Sequence, residues 1–225
     1  MRAITPLVER PAQPSPKSGP GEITPRVGFT VDAAGVDPEV AAAVRQVAET
    51  VAALGNRVDE GGPTTEPFRD GMLAIVSAGM ASLPLPPDAD LDPLNKLSIA
   101  AGNNLTAADY LRALGAIRQH SRQVVAFWDD HDLLLTPTLT KPAPKIGTLG
   151  ATLETAHDEY LDWLSFTYPY NCTGQPAISL PLAMHSSGLP IGVQLVGPPR
   201  GERTILELAM ELEEALPWKD RRPSL

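Results

Sequence analysis

The chain contains one cysteine, Cys172, which excludes a disulfide framework and a multi-cysteine zinc site. Its four histidines, at 120, 131, 157 and 185, show no His-x-x-x-His spacing, so no helical pair of metal ligands is encoded. Basic residues are in deficit. Eighteen Lys and Arg against 27 Asp and Glu give a net charge of −9, which offers no basic surface for phosphates and excludes nucleic acid as an expected partner. Apolar runs are short, and none approaches the ~20 residues that a membrane helix needs. The first 25 residues lack the apolar stretch of a secretory signal. These deficits point to a cytoplasmic protein that uses neither metal nor cofactor.

What is present in excess is proline: 24 of 225 residues, about double the usual ~5%. Six of these fall in residues 1–25, which read MRAITPLVERPAQPSPKSGPGEITP. Proline fixes φ and removes a backbone donor, so this stretch reads as an extended leader rather than as part of a core. The globular portion is expected over 26–225.

Within it, strands alternate with helices. Val27–Val31 reads as a short strand. Asp37 then caps a helix with Pro38 in its first turn, and Val40, Val44, Val47, Val51 and Leu54 form one apolar stripe. Gly55 stops it, and Arg57–Asp59 resumes as a strand, which makes a βαβ unit. A more apolar helix is expected over 66–83, followed by a proline-rich loop over 84–98. Thr106 and Asp109 form a capping box for a long helix that reaches Asp130 and turns Leu111, Leu114, Ile117, Val124, Val125 and Trp128 inward. Leu133–Thr136 is the kind of continuous apolar run found in a strand buried on both faces. A helix over 155–166, strands at 177–180 and 192–196, and a helix over 202–215 complete an α/β pattern.

Few residues offer chemistry. No Gly-x-Ser-x-Gly nucleophile elbow occurs. Ser186, Ser187 and Gly188 lie between two expected strands, where a hairpin turn explains them better than a catalytic serine. His185 adjoins Ser186, but neighbours along a strand point to opposite faces. Ser179 with His185 is a further serine–histidine combination, with nothing in the spacing to favour it. His131 lies among Asp129, Asp130 and Asp132 at a helix-to-strand junction, and such acids more often form a solvated helix end than a metal cluster. The acids of 88–92 read the same way. Cys172 reads as a buried or pocket-lining thiol.

One stretch is denser in unusual residues. Residues 166–197 read FTYPYNCTGQPAISLPLAMHSSGLPIGVQLVG. Asn171, Thr173 and Gly174 have the side chains and the backbone freedom of a tight loop. Gly192, inside a strand, would let a neighbour approach closely. On residue chemistry alone, a decorated hairpin is a better account of it than a functional site.

This stretch resembles the C-terminal signature region of the amidase signature family, Asn-x-Thr-Gly-x-Pro-Ala-x-Ser-x-Pro followed by Gly-Leu-Pro-x-Gly-x-Gln-x-Val-Gly. The matching positions are Asn171, Thr173, Gly174, Pro176, Ala177, Ser179 and Pro181, then Gly188, Leu189, Pro190, Gly192, Gln194, Val196 and Gly197. The segments VGFTVD, VDPEVAAAVRQVAETVAALGNRVDE and DLLLTPTLTKPAPKIG are similar to family segments in the same order, so the resemblance covers about residues 25–222.

The resemblance implies part of a mixed-sheet, α/β/α layered fold and the hydrolysis of carboxylic amides to acid and ammonia or amine. It implies a serine nucleophile, a second, proton-relaying serine and a lysine base, together with a glycine-rich oxyanion loop. Those groups belong to the family's N-terminal half. No Gly-Gly-Ser-Ser-Gly-Gly-like segment occurs here, and none of the lysines at 17, 96, 141, 145 and 219 matches the catalytic one. No catalytic residue can therefore be assigned. Asn171, Cys172 and Thr173 are the expected substrate-pocket residues. The chain is expected to be the C-terminal part of an amidase, inactive alone, acting on a small-molecule amide only when an N-terminal half completes it. The alternative is a non-catalytic module that pairs with such a half or self-associates as a homo-oligomer.

Overall fold

The computed structural model describes residues 24–86 and 88–221. The proline-rich leader expected over 1–25 lies outside them, apart from Thr24 and Pro25. The fold begins with the expected βαβ unit: β1 (Arg26–Phe29), α1 (Pro38–Ala53) and β2 (Arg57–Glu60), with the two strands parallel and Val27 opposite Val58. Asp37 caps α1 by accepting hydrogen bonds from the Glu39 and Val40 amides.

The chain then leaves the sheet for α2 (Arg69–Ala81), α3 (Pro93–Asn104) and α4 (Ala107–Ala126). The helix α3 corrects the loop expected over 84–98. Asp92 accepts from the Leu94 amide and Pro93 occupies the first turn, so the proline that suggested a loop is in fact a helix-starting residue. The capping box forms as expected, with the Asp109 amide donating to Thr106 Oγ1 and the Thr106 amide donating to Asp109 Oδ2. Leu111, expected inward, is instead 64% exposed, because the apolar stripe of α4 is anchored further along at Ile117 and Val124. Leu54, at the end of the α1 stripe, is also exposed.

The chain returns as β3 (Leu133–Pro137), every residue of which is buried. Then follow α5 (Leu153–Trp163), α6 (Tyr168–Thr173), β4 (Ala177–Met184), β5 (Pro190–Val196) and α7 (Glu202–Ala215). The five strands form one mixed sheet in the order β2-β1-β3-β5-β4, with β3 parallel to β1 and antiparallel to β5. The strands β4 and β5 form the hairpin expected around Gly188, whose φ is 82°.

Helices cover both faces of the sheet. Leu133 and Leu135 of β3 pack with Val44, Val51, Leu208 and Leu212 of α1 and α7. Leu134 points the other way and joins Phe68, Val124, Trp128 and Tyr170. Successive residues of a strand face opposite ways, so a leucine run can supply both layers only if helices cover both sides. The architecture is therefore α/β/α. Among the described residues, no helix is long and apolar enough to cross a membrane.

Candidate functional site

The motif-bearing stretch enters through α6. Its expected tight loop is a six-residue helix closed by Gly174, which adopts the left-handed conformation at φ 70°, where a side chain would be strained. The Tyr170 carbonyl accepts from the amides of Gly174 (2.9 Å) and Gln175 (3.2 Å) and from the Thr173 hydroxyl (3.3 Å). The motif glycine and threonine thus close the helix around one carbonyl oxygen.

Because α6 is helical, the three candidate residues point in different directions. Asn171 is exposed, Cys172 is half-buried, and Thr173 is buried. The Cys172 thiol contacts the Met72 sulfur of α2 at 3.6 Å. Burial pushes this thiol up to about 11, so it is protonated at neutral pH and does not act as a nucleophile there. Burial also raises the Tyr170 hydroxyl above its ordinary range.

The second half of the motif organises the sheet. Gln194 on β5 is buried, and its side-chain amide donates to the Phe166 carbonyl at 2.7 Å and to Thr136 Oγ1 at 3.1 Å. It therefore joins β3, β5 and the approach to α6. Gly192 meets the close approach expected of it. A Cβ there would lie 2.8 Å from Thr138 Oγ1 and 3.0 Å from Ser179 Oγ. Those two hydroxyls are hydrogen-bonded to each other at 2.6 Å. Beside them is a cavity of about 120 Å³, lined by Val40, Leu139, Pro142, Ile191 and the two hydroxyl residues. The motif spacing pointed to Ser179 and Gly192, but Thr138, 41 positions before Ser179, becomes their neighbour only through the β3–β5 pairing.

The remaining candidates form a clasp. His185 reaches Ser187 rather than Ser186, because the turn folds back: Nδ1 lies 2.8 Å from Ser187 Oγ and accepts the Ser187 amide at 3.0 Å. The amide thus occupies the nitrogen lone pair that a catalytic base would need. Ser186 donates its amide (2.8 Å) and its hydroxyl (2.6 Å) to the Glu39 carboxylate, and these bonds hold that carboxyl below its ordinary range. The hairpin tip is thereby tied to the start of α1. His131 stacks on Phe127 and contacts Asp59 at 3.0 Å. Among the described residues, no group of three or more His, Cys, Asp or Glu is placed to hold a metal ion.

The model of the amidase family matches residues 8–206. The chain belongs to the amidase family. It is similar to the 6-aminohexanoate-cyclic-dimer hydrolase of Pseudomonas sp. (strain NK87), at 35% identity over 98% of this chain and 49% of the relative. It is similar also to a putative amidase, AmiC, of Mycobacterium tuberculosis, at 34% identity over 80% of this chain and 41% of that protein. Among solved structures, 6-aminohexanoate cyclic dimer hydrolase complexed with substrate superposes with a TM-score of 0.80 at 33% identity, over 92% of this chain and 48% of that one. The chain thus spans about half the length of the curated relatives it matches. Its mixed sheet between helical layers is the amidase signature fold over that half.

Proposed function

We propose that this chain is the C-terminal part of an amide hydrolase that converts a small carboxylic amide to an acid and ammonia or amine. The observation that carries this reading is the folding of both motif halves, Asn171–Pro181 and Gly188–Gly197, onto one sheet that superposes on half of a substrate-bound amide hydrolase. In this reading an N-terminal half supplies the serine nucleophile, the relay serine, the lysine and the oxyanion loop. The chain contributes strands, covering helices and one wall of the substrate pocket. Asn171, Cys172 and Thr173 contribute that wall: exposed Asn171 is free to meet a substrate, while Cys172 and Thr173 set the shape of the turn behind it. The reading places the protein in the cytoplasm.

The test is an assay of ammonia and amine release from a panel of simple and cyclic amides. The chain alone should give no release above background. Coexpression with the N-terminal half of a related amidase should restore turnover, and Asn171→Ala should lower it. Robust turnover by the chain alone overturns the requirement for a second half.

Pairing or self-association is the alternative use of the same surface. In the described sheet β2 and β4 form the two edges, and Met184 on β4 and Leu206 and Met210 on α7 are exposed. Unpaired edges and exposed apolar side chains favour association. Light scattering that shows a stable monomer with cooperative unfolding removes self-association.

A further inference from the structure

The cavity beside the Thr138–Ser179 pair has the donor chemistry of an anion site. Four segments line it: the start of α1, the strands β4 and β5, and residues 138–142, which follow β3. The Asp37 amide donates to the Thr140 carbonyl at 2.8 Å, and the Thr138 amide donates to the Gly192 carbonyl at 2.9 Å. The Trp163 indole donates to the Lys141 carbonyl at 3.1 Å. The walls are thus held before any ligand arrives.

Its polar groups are short of acceptors. Two hydroxyls bonded to each other use one proton between them and leave the second O–H to donate outward. Lys141 also lines the cavity, and its ammonium carries three donors and no acceptor. Among the described residues it makes no ion pair. The α1 carboxylates do not line the cavity: Asp37 accepts from the α1 amides and Glu39 from Ser186, and His185 Nε2 lies 3.6 Å from Asp37 and 3.5 Å from Glu39. The remaining walls, Val40, Leu139, Pro142 and Ile191, are apolar. An apolar cavity of about 150 Å³ takes a benzene ring. This one, at about 120 Å³, has room for a somewhat smaller molecule.

We propose that this cavity binds a short-chain carboxylate of about propionate or butyrate size, with its oxygens on Lys141 and the Thr138–Ser179 hydroxyl pair and its alkyl chain against Val40 and Ile191. The site is separate from the α6 turn and does not depend on the amide-hydrolase reading.

Titration of the full ¹⁵N-labelled chain with propionate tests this through backbone amide shifts. Saturable shifts are expected at Leu139, Lys141, Ser179 and Gly192, with no matching response to propanol or propylammonium. Octanoate should bind more weakly, because the cavity has no room for its tail. Lys141→Met, at an exposed position that leaves the fold intact, should weaken propionate roughly tenfold or more, the usual worth of a hydrogen bond to a charged group. Thr138→Val combined with Ser179→Ala should weaken it separately. Linear, unsaturable shifts, an equal response to propanol, octanoate binding as tight as propionate, or unchanged affinity in Lys141→Met would each overturn the proposal.

Discussion

The buried side-chain amide of Gln194 donates to the backbone carbonyl of Phe166, 28 positions earlier, at 2.7 Å. A motif residue in the middle of a strand thereby fixes the chain at the entry to α6, the element that carries Asn171, Cys172 and Thr173. Thr136 Oγ1 shares the same amide, so one side chain sets both the strand pairing and the position of the candidate site.

Gln194→Leu should therefore be destabilising beyond its loss of two bonds, because it leaves the Phe166 carbonyl buried without its partner. A buried polar group left unsatisfied costs about 1–3 kcal/mol. Urea unfolding should show the midpoint falling with an unchanged slope. An unchanged midpoint would mean that relaxation or water replaces the bond.

Gly102 on α3 faces the backbone of α2, and a Cβ there would clash with the Ser77 carbonyl group. Gly102→Ala must push the two helices apart, since backbone cannot move aside as a side-chain tip can. Overpacking of this kind typically costs about 1–3 kcal/mol. Thermal unfolding checks it. Gly79→Ala, where no atom lies within 4 Å of the added Cβ, is the control and should be neutral or stabilising.

The Cys172 thiol, pushed up to about 11 by burial, should react slowly with iodoacetamide at pH 8. A free thiol near 8.5 is partly ionised there, so the rate should fall by roughly two orders of magnitude. The sign for stability follows from proton binding. The folded chain holds this proton more tightly than the unfolded chain, so its contribution is complete below about pH 8.5 and is lost as pH rises towards 11. Alkylation rates after unfolding in urea should rise to those of a model thiol.

Glu39 carries the opposite sign. Its carboxyl is lowered chiefly by the Ser186 hydroxyl and amide, so the clasp is present above the ordinary glutamate range and is lost as pH falls through the lowered folded value. The Ser186 amide should be protected from hydrogen exchange at neutral pH and lose that protection, after correction for intrinsic rates, in strong acid. Glu39→Gln should remove the pH dependence, and an unchanged profile in that variant would exclude the carboxylate as its cause.

Much of the fold was legible because its signals are local. The Val40–Val51 stripe specified α1, Asp37 and Thr106 marked two helix starts, and the Leu133–Leu135 run specified a strand covered on both faces. The misread elements are those in which a local signal has two meanings. Pro93 reads as a loop residue until Asp92 is seen capping the helix behind it. Asn171, Thr173 and Gly174 suit a loop equally well as the last turn of a helix, and packing of Tyr168 and Tyr170 into the core selects the helix.

By itself, the sequence determined the family, the alternation of strands and helices and the residues on which the motif rests, because periodicity, caps and motif spacing act over a few positions. Only the tertiary structure decided which residues meet. Ser179 faces Thr138, Glu39 holds Ser186 across 147 positions, and Gln194 reaches Phe166. Such contacts depend on strand order and register, which a linear pattern does not encode. The single cysteine follows the same division: its count excluded disulfides at once, whereas its burial beside Met72 decided that it is inert at neutral pH.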